Sequence, residues 1–518
     1  AESAMAVAEL DNLAVVVGRA SNERTPPEIA ILDISRLATW MTTMEATRPD
    51  ILRATHCHRL LQGLGYAFRK SRHKNLYDWS FIVEEIDQFL SHSWHGNHRW
   101  KVLMLILVKN GLHACILGTP AALFLSLMVF FHLVPEMQKF AVFDGDASES
   151  TSVWSLTTGM LVASATLILR RPQHTVFLDT VCIDQTSAVT KAEGVLNMGA
   201  FLRSSKSMLV LWDSSYALRL WCIFELAGFL HCQGFNAGRS RYPTELLLEI
   251  RPTSAACCTL AISVSLFGGM LALLTVPFTN PILGTSLFAI LGAVAFYVAT
   301  DSFRGYQRCV DKLQLQLKSF DMQAAQCYCC SVNHVDPSGS DDMVCDREII
   351  SQCISNWFGS VESFHQCVHS TVFTNLSEQL QNRPYPVSWL IGASVPILWG
   401  QLDAVALQFR EGNADVAAAW GINGLMWWLS GFPVSVLCWW AFCRSWRARI
   451  CCDWLVNVIG SCVIMATMSL LWTCQSAIRS WIQSDIWGSA VFFVIMLLVT
   501  YLLWNFRWPR QSQAQQSQ

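Results

Sequence analysis

The chain has 518 residues, 53% of them hydrophobic and only 14% charged, with 22 tryptophans and a mean hydropathy of +0.34. Soluble domains carry about 25% charged residues, so this balance excludes an ordinary soluble enzyme and places the chain in the membrane class. A net charge of −2 leaves no basic surplus for general nucleic-acid binding, and no nucleic-acid partner is expected.

In chain order, residues 1–83 read as an N-terminal cytoplasmic region, partly disordered, with no basic segment leading into an apolar core as a signal peptide would have. "EEIDQFLSHSW" (84–94) is a short strand ending in Ser, His and Trp. "NHRWKVLMLILVKN" (97–110) is a crossover helix. Runs of about 18 or more apolar residues are expected to span a bilayer, and eight are present: 111–134, 152–169, 255–277, 281–299, 386–406, 416–442, 453–473 and 486–505. Between the second and third spans, "TVFLDTV" (175–181) is a β-branched apolar strand and "VLNMGAFLRSS" is helical in pattern. "SMLVLW" (207–212) is a buried-type strand, and "TELLLEI" (244–250) is a further one. Strands alternating with helices imply a parallel sheet covered on both faces. Residues 300–385 form a helical, cysteine-rich insert, 386–505 a four-span bundle and 506–518 a disordered tail.

Basic residues follow every even-numbered span: Arg170 and Arg171, Arg304 and Arg308, Arg444, Arg447 and Arg449, then Arg507 and Arg510. The opposite loops are poorer in them, so the positive-inside rule puts both termini and the α/β segments in the cytoplasm of a multi-pass integral membrane protein. The lipid bilayer is then its first partner. The first two spans (111–171) interrupt the α/β domain (84–110 and 172–250), and 255–299 forms a second hairpin. An even number of spans returns the chain to the side it left, so the sheet can still close, with the inserted hairpin clamping it to the membrane.

"RLWCIFELAGFL" (219–230) is apolar all round except for one carboxylate, Glu225. At about 100° per residue, Leu218, Trp221, Cys222, Glu225 and Phe229 share one stripe. An unpaired acid is costly in such a setting, so Glu225 is a satisfied core acid, an intramembrane group or a working residue. Ligands of open α/β sheets gather at the carboxyl ends of strands, where Ser91, His92, Ser93, Asp179 and Asp213 fall. The serines equally suit helix capping, and Asp179, Asp184 and Gln185 suit turn chemistry. Trp221 and Cys222 suit core packing. His92, His95 and His98 in "HSWHGNH" are spaced for a metal only if Gly96 and Asn97 do not break the helix.

The 20 cysteines are about 4% of the chain, below disulfide-scaffold density, and many read as small hydrophobes. "CYCCSVNHVDPSGSDDMVC" supplies Cys327, Cys329, Cys330, His334 and Cys345. These are weak zinc candidates. Palmitoylation or redox contacts suit the same cysteines.

"DQFLSHSW", then "FLDTVCIDQTS", then "FLRSSKSMLVLWDSSYALRLWCIFEL" resemble the Toll/interleukin-1 receptor (TIR) domain, especially its bacterial and plant-type members. The match rests on Phe89, Leu90, Ser91 and His92, then Tyr216, Trp221, Cys222, Glu225 and Leu226. "FLDTVCIDQTS" is also similar to a motif of heterokaryon-incompatibility domains. The resemblance covers about a fifth of the chain. Arg219 departs from the serine usual in plant-type members, and Ser93 or Trp94 stands where an arginine is usual. It implies a TIR-like α/β domain with a flavodoxin-like parallel sheet, beside an all-α transmembrane bundle. It further implies membrane-anchored signalling or defence, self-association with other TIR-like domains, and Glu225 as the catalytic residue if the domain cleaves NAD⁺. Ser91, His92, Ser93, Asp179, Arg219 and Trp221 would then contact the dinucleotide. No cofactor is required in that reading, NAD⁺ being the substrate. A non-catalytic scaffold, or a transporter or channel with a nucleotide-sensing domain, are the alternatives.

Overall fold

The computed structural model describes residues 34–69, 75–140, 148–234, 247–275, 281–334, 345–379 and 385–505. The chain divides into two compact units. The first comprises the described parts of Ala1–Leu105, Arg171–Thr253 and Cys309–Gln379; the second comprises those of Ile106–Arg170, Ser254–Arg308 and Leu380–Gln518.

Among the described residues the strands are β1 (Arg53–His56), β2 (Phe81–Ile82), β3 (Ile86–His92), β4 (Met137–Phe140), β5 (Ser148–Thr151), β6 (Thr175–Phe177), β7 (Ser205–Trp212) and β8 (Leu248–Pro252). Six form the sheet of the first unit, in the order β2-β1-β6-β3-β7-β8. β6, β3, β7 and β8 run parallel, while β1 is antiparallel to both β2 and β6. The parallel strands thus follow the order second-first-third-fourth, as in the 2-1-3-4-5 doubly wound arrangement. The sheet is mixed, however, not wholly parallel as the sequence suggested. β1 is only "RATH", too short and polar for a periodicity signal, yet it closes the exposed edge of β6. There His56 Nδ1 lies 2.6 Å from the Gln173 carbonyl, and Arg53 donates to Ser80.

β3 and β7 are buried along most of their length because both faces are covered. β8, at the edge, alternates. Of the strand expected over 244–250, residues 248–250 lie in β8; 244–246 lie outside the described residues. The helix Leu220–Cys232 has 13 residues, about 20 Å at 1.5 Å per residue, too short for a hydrocarbon core of about 30 Å. It is a core helix, with Leu220, Ile223, Phe224, Ala227, Phe229 and Leu230 at 0–1% exposure. Trp357, on the helix Asp346–Phe358, lies against Phe224 and His231 at 5.3 and 5.5 Å between ring centroids. The cysteine-rich segment is thus built into the first unit.

The second unit is helical apart from the β4–β5 hairpin. Among the described residues six helices are long and apolar enough to cross a membrane: His98–Phe130, Ser254–Thr275, Val387–Arg410, Ala414–Ser445, Asp453–Ile482 and Asp485–Trp504. This fits a multi-pass membrane protein. The expected crossover helix and first span are one continuous helix, His98–Phe130, because nothing between Asn110 and Gly111 breaks it. The span expected at 152–169 is Trp154–Leu169, 16 residues. That at 281–299 lies in Pro281–Lys318, whose first nine side chains are outside the described residues.

Small residues let these helices approach closely. A Cβ on Gly118 or Gly159 would fall 2.9 or 2.6 Å from the Trp399 ring, which is buried with Ala122, Leu156 and Val395. Arg304 and Arg308 do not lie in a loop but within Pro281–Lys318. Arg304 is wholly buried and bonds Asp453 Oδ1 at 2.6 Å, Asn457 Oδ1 at 2.6 Å and three backbone carbonyls. Asp403 is a second buried charge of this unit. It is buried within Val387–Arg410, accepting from the Ser152 hydroxyl at 2.7 Å, the Ser155 amide at 3.1 Å and the Ser155 hydroxyl.

Candidate functional site

The carboxyl ends of β3 and β7 meet the helix Leu220–Cys232 inside the first unit. Ser91, next to last in β3, is fully buried and donates to Glu225 Oε2 at 2.5 Å. Its hydroxyl also lies 2.6 Å from the Tyr216 hydroxyl, which donates to the Cys222 carbonyl at 3.3 Å. Among the described residues this is the one hydrogen bond that Glu225 accepts. Burial pushes the Glu225 carboxyl up to about 8, opposed by the Ser91 bond and assisted by the negative charge of Asp179. Burial likewise raises the Tyr216 hydroxyl and the Cys222 thiol well above their ordinary values, so Cys222 is not a poised nucleophile.

Glu225 opens on a narrow cleft of about 50 Å³, lined also by His92, Ser93, Trp94, Asp179, Arg219, Trp221 and Cys222. Such a space holds a few waters. The structure therefore gathers Glu225, His92, Ser93, Asp179, Arg219 and Trp221 around one opening, with Ser91 behind the carboxylate. Asp179 accepts from the Trp94 indole at 3.0 Å and from the Thr180 amide at 2.7 Å. His92 packs between Phe68 and Trp94, its ring centroid 5.3 and 4.5 Å from theirs, and is not grouped with His95 and His98. Arg219 is largely buried, which lowers its pKa. Asp184 and Gln185 serve their own turn.

Lys101, 2% exposed, is a neighbour that the sequence reading did not single out. It pairs with Asp213 at 3.2 Å and donates to the Ser93 carbonyl. Ser215 donates to Ser93 Oγ at 2.8 Å and also bonds Asp213. The chain passes so close at Gly96 that a Cβ there would lie 1.8 Å from Asp213 Oδ2. The one clue was a lysine placed directly before the apolar run of that helix.

A larger groove, about 480 Å³, runs past Glu84, Glu85, Arg203 and Lys206. It lies at the amino ends of β3 and β7, whereas the doubly wound arrangement binds ligands at the carboxyl ends, so its size does not make it the better site.

The cysteine-rich segment forms a second cluster. One ligand atom from each of Cys329, Cys330, His334 and Cys345 lies within 4.8 Å of all the others. Cys330 Sγ is 3.7 Å from His334 Nε2 and 3.6 Å from Cys345 Sγ. Cys327 is not one of this set; its Sγ lies 2.8 Å from Cys329 Sγ, and the two group with Asp346. Asn333 and His334 take left-handed backbone angles (φ 55° and 59°), and His334 N–H bonds the Cys329 carbonyl at 2.8 Å. The histidine is thereby turned back onto the cysteines.

No family model, curated protein or solved structure matches the chain.

Proposed function

We propose that the first unit is a TIR-like domain that cleaves the nicotinamide–ribose bond of NAD⁺, carried by a multi-pass membrane protein as a signalling or defence module. The observation that carries this reading is Glu225: a carboxyl with one hydrogen bond, its pKa near neutrality, facing a cleft at the carboxyl ends of the central strands. The strand order and the sequence motifs agree with it.

In the reaction the C1′–N1 bond breaks and its electron pair passes to the pyridinium nitrogen, releasing neutral nicotinamide. Water adds at C1′ and gives up a proton, leaving ADP-ribose. Positive charge develops on the ribose as the bond breaks, and an ionised Glu225 stabilises it. The same carboxylate can take the proton from water. Trp221 and Trp94 offer aromatic faces at the mouth, and Arg219 offers a fixed positive charge for the pyrophosphate.

The size of the cleft favours a second reading, a binding-only domain that self-associates at the membrane. Small-molecule pockets run to about 300–1,000 Å³, so a dinucleotide needs Trp221 or Trp94 to swing aside. The test is nicotinamide release from NAD⁺ by the full-length protein in detergent or vesicles, read by chromatography. Turnover that disappears in Glu225→Gln supports the enzyme. A folded wild-type protein with no turnover, even when clustered, leaves the scaffold.

A further inference from the structure

We propose that Cys329, Cys330, His334 and Cys345 form a structural zinc site that braces the amino end of the Glu225 helix. A tetrahedral zinc ion with Zn–S near 2.3 Å and Zn–N near 2.0–2.1 Å sets its ligand atoms about 3.8 Å (S to S) and about 3.6 Å (S to N) apart. The two measured edges, 3.6 Å for Cys330–Cys345 and 3.7 Å for Cys330–His334, already match that figure. Three thiolates and one imidazole suit zinc by softness. All four positions are filled by the protein, so no coordination site is left for a reacting water, and the role is structural. Cys327 is excluded from this set, since 2.8 Å from Cys329 Sγ is too close for two ligands of one tetrahedral ion.

The bracing follows from what the ligands are attached to. Three residues before Cys329, Gln326 is bridged to the start of the Glu225 helix: its amide donates to the Leu218 carbonyl at 2.7 Å, and its carbonyl accepts from the Leu220 amide at 3.4 Å. Cys345 opens the helix Asp346–Phe358, accepting from the Glu348 amide at 3.1 Å. That helix places Trp357 against Phe224. Arg347 adds a clamp, donating to the carbonyls of Gln323 at 2.8 Å and Ala325 at 2.6 Å. One ion would therefore tie together two segments that both abut the helix carrying Glu225. This holds whether or not the domain cleaves NAD⁺.

The full-length protein, purified in detergent without chelators, is assayed for metal by plasma mass spectrometry, then stripped and reloaded with zinc or cobalt. The expected result is about one zinc per chain, and for cobalt the thiolate charge-transfer and tetrahedral ligand-field bands. Cys330→Ser and His334→Ala should lower retained zinc at least about tenfold, while Cys327→Ser keeps it. Removing the zinc should speed hydrogen exchange at the Leu220 amide. A wild-type protein that binds no metal after reloading overturns the site, independently of any variant's folding, as does a Cys330–Cys345 disulfide in the purified chain. Loss of zinc in Cys327→Ser with retention in Cys330→Ser overturns the ligand set. Unchanged exchange at Leu220 on metal removal overturns the brace.

Discussion

Two carboxylates sit in apolar surroundings, one in each unit, and they are handled in opposite ways. Asp403, within a membrane-length helix, accepts from the Ser152 hydroxyl, the Ser155 amide and the Ser155 hydroxyl. Glu225 accepts one bond, from Ser91, and faces a cleft. A buried polar group is tolerated when its bonding capacity is met. Asp403 has that satisfaction and needs no further explanation. Glu225 lacks it, and its raised pKa is the measure of what is missing. Burial alone does not separate a structural acid from a working one; the number of donors aimed at it does.

The largest effect that tests this contrast is on turnover. Glu225→Gln should lower nicotinamide release by about 10²–10⁴-fold, the range for a group acting in proton transfer, with the melting temperature at pH 7 not lowered. Asp403→Asn should leave kcat/KM within about twofold. If both variants lose activity in proportion to the folded protein remaining, Glu225 is no different from Asp403 and the contrast fails.

Next comes a pH effect on stability. Because the folded pKa of Glu225 is raised from 4.5 to about 8, the folded state keeps a proton that the unfolded chain has already lost between those values. The stability this contributes is complete below about pH 4.5 and is lost as pH rises through 8. At about 1.4 kcal/mol per pKa unit the ceiling is about 5 kcal/mol, reduced by the relaxation open to a partly exposed side chain. Glu225→Gln cannot titrate, so melts at pH 5 and pH 9 should show the variant gaining on the wild type at the higher pH. A constant difference between the two proteins would mean that Glu225 is not perturbed.

Asp403→Ala comes third. It leaves the Ser152 hydroxyl and the Ser155 amide without their acceptor, while the Ser155 hydroxyl keeps the Ala122 carbonyl at 2.9 Å, so the detergent-solubilised protein should lose about 2–4 kcal/mol, read as a lower melting temperature at every pH. Asp403→Asn, which keeps one acceptor oxygen, should recover about half of that.

The sequence disclosed the parts of this contrast unevenly. β7 and the Leu220–Cys232 helix were legible because burial on all sides turns them into near-continuous apolar runs, against which Glu225 stood out, and β3 was legible from Phe89 and Leu90 running into Ser91 and His92. β1 and β2 were not legible: four and two residues carry no period, and only tertiary pairing, β1 on β6 and β2 on β1, makes them strands. Lys101 was hidden because its partner, Asp213, is remote in sequence. Arg304 read as a charge flanking a span and is a buried donor, since hydropathy cannot show that Asp453 and Asn457 come to meet it. The metal-ligand set lacked the usual spacing because left-handed turns at Asn333 and His334, not a regular repeat, bring the histidine round.

Ser91→Ala makes the smallest change and the most selective test. The Ser91 hydroxyl stabilises the ionised form of Glu225 by donating to it, so its loss should raise the carboxyl pKa further, by about one unit for one hydrogen bond to a charged group. If turnover needs the carboxylate, kcat/KM rises with pH through about 8 in the wild type, and Ser91→Ala moves that rise about one unit higher. Activity at pH 7 then falls about tenfold, while activity at pH 9.5 falls much less. In the enzyme–substrate complex the positive nicotinamide ring lowers the same pKa, so kcat should begin its rise at lower pH than kcat/KM. Ser91→Ala removes a hydroxyl from a buried position, and a purely structural loss would depress activity equally at every pH. A shifted profile therefore assigns Ser91 to positioning and charging Glu225, and a uniformly lowered one assigns it to packing beside a carboxylate that does no work.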